Sequence, residues 1–99
     1  MNSIASIAMS GMNAAQLQMS SAAHNIANSA TAGFKRQLVD QKTLPEGGVA
    51  ATISQASTEG SSMVEDLVGQ LSARYQFIAN LRVIQTQDRL MGALLDTEA

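Results

Sequence analysis

Few groups in this chain could do chemistry, and they are scattered. His24 is the only histidine, so neither a multi-histidine metal site nor a histidine pair can be assembled. A nucleophile–base arrangement would have to join His24 to one of many serines, and no G-x-S-x-G elbow is present to hold one. With no cysteine there is no thiolate and no disulfide framework. Glu65 and Asp66 are adjacent carboxylates whose place at a predicted helix start suits capping better than acid–base work. Asp88 beside Arg89 reads as solvated charge. Gly47-Gly48 follows Pro45-Glu46 and reads as a turn, not a phosphate cradle. Lys35-Arg36 is too short a basic patch for nucleic acid, and no aromatic ladder accompanies it. These residues predict no enzyme, no metal and no cofactor.

The totals agree. Ninety-nine residues, beginning with Met1 and expected to be a complete chain, make one domain. A chain of this size buries a smaller share of its surface than a larger domain, so partners are expected to supply burial. Hydrophobic residues are 45% of the total, but Ala and Met supply much of that, and the aromatic residues are Phe34, Tyr75 and Phe77. A net charge of −2 argues against nucleic-acid binding. No apolar run reaches membrane-spanning length, and the N-terminus lacks the basic start and apolar core of a secretory signal. Charge is unevenly placed: residues 1–34 contain no Asp, Glu, Lys or Arg. A neutral helix with a Ser/Asn/Gln face suits dense packing among copies, where repeated like charges would repel.

The elements follow from periodicity. A first helix is predicted over about 3–28, with Ala5, Ala8, Met12, Ala15, Met19, Ala22 and Ile26 recurring at steps of three and four as a heptad seam. Gly11 within it either admits a neighbour's backbone or is merely tolerated. Asn28 to Gly33 favours a turn, after which Phe34 should dock on a helix. In the middle, Val49, Ala51 and Ile53 alternate as a short strand would and could pair with residues 36–43, although a loose linker fits as well. A second helix is predicted over about 62–95. Ser62 and Glu65 fit a capping box, and acidic residues beyond Leu95 predict fraying there. It carries two apolar seams: Val64, Val68, Leu71, Tyr75 and Ile78, then Phe77, Leu81, Ile84, Met91 and Leu95. A simple hairpin needs one stripe per helix, so the second suggests a further partner, unless the seam drifts around a long helix. The expected fold is mainly α: two long antiparallel helices in a coiled-coil-like hairpin, joined by a short irregular or β-hairpin middle. It forms one domain, 1–99, divided at 34/35 and 61/62.

Two strings are specific. Ser10-Gly11-Met12-Asn13-Ala14-Ala15, Asn25-Ile26-Ala27-Asn28 and Thr31-Ala32-Gly33-Phe34-Lys35-Arg36 resemble the N-terminal signature of the flagellar axial proteins of rod and hook. The run from Glu59 through Val64-Glu65-Asp66-Leu67-Val68, Arg74-Tyr75-Gln76 and Leu90-Met91-Gly92 resembles that family's C-terminal segment. Family members usually carry a larger domain between the two, so this chain resembles the smallest rod proteins. The resemblance implies that Asn25, Asn28, Gly33 and Phe34 are signature-turn residues and that the three seams are subunit interfaces. It implies assembly with copies of itself and other flagellar axial proteins, after passage through the flagellar type III export apparatus without a cleaved signal. It also implies a place in the periplasmic rod, with no membrane insertion and no nucleic acid. The alternative reading is a soluble helical adaptor or regulator of flagellar export derived from an axial protein.

Overall fold

The computed structural model describes residues 3–98; Met1 lies outside them. Four elements occur in chain order: helix α1 (Ile4–Ala27), strands β1 (Gln37–Thr43) and β2 (Val49–Gln55), and helix α2 (Met63–Glu98). α1 begins where Ser3 Oγ accepts from Ser6 N–H at 3.1 Å, an N-cap in extended backbone. It ends at Asn28, whose backbone and side-chain N–H groups both donate to the His24 carbonyl. α2 starts within one residue of the expected position and runs three residues past the expected end. Glu65 accepts a hydrogen bond from Arg36, a partner nearly thirty residues upstream, so its charge serves a tertiary contact beyond local capping. The helical backbone continues past Leu95 to Glu98, with neither Gly nor Pro in residues 96–98 to end it.

The middle of the chain is a hairpin and not a linker. β1 and β2 pair antiparallel from Gln37↔Gln55 to Thr43↔Val49. The turn is closed by Gly47 N–H donating to the Leu44 carbonyl and Leu44 N–H to the Gly48 carbonyl, both at 3.0 Å. Pro45 supplies the fixed φ of the second turn position, and Gly47, at φ 98°, supplies the left-handed residue that a three-residue hairpin loop requires. A lone two-stranded hairpin is marginal. This one lies along α1 and is pinned at both ends. Asn25 holds Gln37 at its base, and Ser10 Oγ accepts from Val49 N–H at 3.0 Å near its tip. The lengths match: the helix rises about 22 Å from Ser10 to Asn25, and the strand about 20 Å from Gln37 to Thr43.

α1 and α2 run antiparallel, with Asn25 against Asp66 at one end and Gly11 against Asn80 further along. That register carries Ile4 to Gln87, with which it lines a groove. α2 therefore continues about 16 Å beyond the start of α1. On α2 the less exposed positions include Asp66, Gln70, Ala73, Phe77, Asn80, Ile84 and Gln87, an unbroken heptad row, with Gly69 and Ile78 at its flank. This row is the stripe that faces α1, and it differs from both predicted apolar seams. Only Phe77 and Ile84 of the predicted seams belong to it. On α1 the predicted seam is closer to the mark. Ala8, Ala15 and Ala22 are buried, and Ala5, Met12, Met19 and Ile26 are half-buried.

Every buried apolar residue among those described is an alanine: Ala8, Ala14, Ala15, Ala22 and Ala73. Such a seam lets helices approach closely but removes little apolar area from water. The outcome shows in the dimensions. The surface is 6887 Å², against about 5,400 Å² for a compact monomer of this mass. The radius of gyration is 17.4 Å, against about 13 Å for a compact domain of this length.

Candidate functional site

Two features stand out, a polar latch and an apolar face. The latch joins three elements at the closed end of the helix pair. The buried side chain of Asn25 acts as a strand edge would: Oδ1 accepts from Gln37 N–H at 2.8 Å, and Nδ2 donates to the Gln37 carbonyl at 3.0 Å. Nδ2 also lies 3.2 Å from Asp66 Oδ1 on α2. Asp66 is buried, and Arg36 closes on it from the hairpin base through Nη2 to Oδ1 and Nε to Oδ2, while Nη1 reaches Glu65 Oε2 at 3.3 Å. The hydrogen bonds to Asp66 and the two nearby carboxylates push the Arg36 pKa up, so the guanidinium stays charged. A buried carboxylate without such a partner would carry a large desolvation cost.

The signature turn follows the latch. Asn28 Oδ1 accepts from Thr31 Oγ1, and Gly33 takes a left-handed conformation, φ 72°, that returns the chain toward the hairpin. Phe34 then packs on His24, ring centroids 5.5 Å apart at 57°, so it does dock on a helix as expected. His24 is exposed at the end of α1. Sequence reasoning missed the partners of the signature: Asp66, Gln37 and Ser10 had no local cue, because their contacts span 12 to 41 residues.

The apolar face is the outward side of α2. Val64 is 73%, Val68 62%, Leu71 52% and Tyr75 64% exposed, and Leu67 lies among them, also exposed. Ile78 is half-buried. Further along, Leu81, Met91 and Leu95 of the second seam are exposed together with Val83, Leu90 and Leu94. So many large apolar side chains on one helix mark a surface made to be covered.

The family comparison falls on the latch half of the molecule. A model of the flagella basal body rod protein family matches residues 6–35, from the first turn of α1 to the residue before Arg36. Residues 6–35 are therefore similar to that family over the first helix and the turn that follows it. No curated protein matches the chain. No helix among the described residues is long and apolar enough to cross a membrane. The matched segment holds Asn25, Asn28, Gly33 and Phe34, and the geometry gives each a mechanical task. They end α1, turn the chain and seat the hairpin.

Two variants test the close packing of α1. Ala15 has no exposed surface, so Ala15→Leu should overpack the α1–α2 seam within a single chain. A loss of about 1–3 kcal/mol in urea unfolding is expected, and an unchanged midpoint would refute the seam. Gly11 admits the Asn80 side chain, not a neighbour's backbone: a Cβ there would meet Asn80 Nδ2 at 2.7 Å. Gly11→Ala alone should therefore gain nothing. Combined with Asn80→Ala it should recover about 1 kcal/mol from helix propensity, read by the same measurement. An equal gain in the single variant would mean the approach is not tight.

Proposed function

We propose that this chain is a structural subunit of the flagellar rod, in which the outward face of α2 packs against α1 and α2 of neighbouring copies or other axial proteins. One observation carries the reading. The fully buried part of the contact between the chain's own helices is made of alanines and polar side chains, with Phe77 and Ile84 half-buried beside them, while Val64, Leu67, Val68, Leu71 and Tyr75 face outward. A monomer gains nothing from that arrangement, whereas a tube of helices buries both sides of α2. On this reading Ala5, Met12, Met19 and Ile26, half-buried at the flank of α1, complete their burial against neighbours. Contacts between copies are heterologous, so they do not close and the assembly grows along one axis. The C-terminal resemblance assigns Leu90, Met91, Leu94 and Leu95 to the same packing.

The reading includes passage through the flagellar type III export apparatus without a cleaved signal, and residence in the periplasmic rod. A small alanine core suits that route, because little stabilisation has to be given up when the chain unfolds.

The test is to purify intact hook–basal bodies and search them for this chain by mass spectrometry. Several copies per particle are expected. Consistent absence from the particles, with the chain present in the cytoplasm, would replace the rod reading with the adaptor.

A further inference from the structure

The hairpin's hydrogen-bonding groups lead to an inference that rests on the rod reading and names a second contact between copies. In an antiparallel pair, successive residues alternate between bonding across the pair and pointing their N–H and C=O outward. Here the alternation is fixed by two bonds inside the hairpin, Ala56 N–H to the Arg36 carbonyl and Leu44 N–H to the Gly48 carbonyl. Even-numbered residues of β1 therefore bond to β2, and odd-numbered residues on both strands point outward. Of those, Gln37 is taken by Asn25, and the Val49 N–H by Ser10. What remains is Val39, Gln41 and Thr43 on the β1 edge, and Ala51, Ile53 and Gln55 on the β2 edge.

These two sets fit each other. A β2 edge laid antiparallel on the β1 edge of another copy, with Ala51 opposite Thr43, places Ile53 opposite Gln41 and Gln55 opposite Val39. All three free residues of each edge are then used at once. The positions between them fall as Thr52 opposite Lys42 and Ser54 opposite Asp40, with no like charges facing. Ser54 Oγ already donates to Asp40 within the hairpin, at 3.3 Å, so the same pair chemistry would recur across the joint. Two further observations favour an occupied edge. β2 contains no charged residue, although exposed edges are usually protected by charge. Ile53 is also 48% exposed where β2 leaves the cover of α1. The strands pack on α1 and make no close backbone approach to α2, and beyond Val39, which shares a cleft with Asp66 and Gly69, the β1 edge runs clear of both helices toward Thr43.

We propose that the free edges of β1 and β2 join copies of this chain side by side into a continuous antiparallel sheet, one hairpin to the next. The contact is heterologous and stays open. Relative to the pairing within a hairpin, each joint is offset by two residues, about 7 Å, so the sheet climbs as it extends, as a helical array requires.

Because the chain has no cysteine, the joint can be probed cleanly. Full-length Lys42→Cys and Thr52→Cys chains would be co-expressed in motile cells, and basal bodies purified and oxidised. Positions 42 and 52 face each other as a non-bonded pair at about 4.5 Å between Cα atoms, within disulfide reach. A linked pair is expected in the mixture and in neither variant alone. A second variant separates the edge from the fold. Ile53→Pro removes an outward N–H and leaves the hairpin's own bonds intact, whereas Thr52→Pro breaks one. Ile53→Pro chains should keep the circular dichroism of the parent and drop at least tenfold in basal-body content. Ile53→Thr, which keeps the N–H, should assemble normally. Chains that sit in the particles without any 42–52 link, or Ile53→Pro chains that assemble normally, would overturn the sheet and leave the rod reading standing. Cross-links between two copies of the β2 edge, tested with Thr52→Cys and Ser54→Cys, would overturn it too, since that contact closes into a dimer. Absence of the parent chain from the particles would instead refute the rod reading.

Discussion

Asn25→Ala is expected to be the most damaging single change to the folded chain. It deletes both hydrogen bonds that hold Gln37 and the donor that faces Asp66. The Asp66 carboxylate is left buried with one partner fewer, and the hairpin base comes loose from α1. Each such bond is worth about 1 kcal/mol net, and more when a charged group loses it, so a cost of about 2–4 kcal/mol is expected. With a core of alanines, that can exceed what the chain has to spare. The measurement is urea unfolding followed by far-ultraviolet circular dichroism. The variant should show a midpoint near zero denaturant, or no folded baseline. Asn25→Asp should be at least as harmful, because it keeps the acceptor for Gln37 but sets a second carboxylate beside Asp66. Parental stability in both variants would mean that the latch holds nothing.

The second large effect concerns assembly and leaves the isolated fold alone. Leu71→Glu changes an exposed side chain on α2, so stability should move by no more than about 0.5 kcal/mol. In a packed tube the same position would lose about 1.5–3 kcal/mol of apolar burial per subunit and would bury an unpaired charge besides. That loss recurs in every copy. Cells with Leu71→Glu as their sole copy should be non-motile in soft agar, while Leu71→Met, close in volume, should swim. Normal swimming by the glutamate variant would remove the outward face of α2 from the assembly.

The sequence was readable where structure is local. Ser3, Asn28 and the run Pro45 to Gly48 mark their own ends and turns, because caps and tight turns are decided within a few residues. Ala8, Ala15 and Ala22 were readable as a seam for the same reason. The companion row was placed one residue off. The helix contact uses Gly11 and Asn25, a glycine and a polar side chain, where periodicity had selected Met12 and Ile26. On α2 the apolar stripes were legible, but which residues face the chain's own α1 was not. The rule that apolar residues turn inward assumes that the chain's own interior is the largest apolar site available, and Val64, Val68, Leu71 and Tyr75 break it. A second stripe was the only hint. The pairing of Arg36 with Asp66 was beyond reach, since nothing in either neighbourhood names a partner thirty residues away.

The fastenings of the hairpin are unequal, and the inequality gives the molecule a direction of failure. At its base an amide, a guanidinium and two carboxylates bind three elements together; at its tip an uncharged serine hydroxyl takes the Val49 N–H and Ile7 lies against Gly47. A load drawing on the first turns of α1 would meet the serine early and the charged cluster last. The chain should therefore peel like a zip with one stitched end, its hairpin tip swinging free while the stitched end still holds. In the single chain, before any neighbour covers the hairpin, that makes the tip the first part to yield and the Arg36 cluster the fixed point.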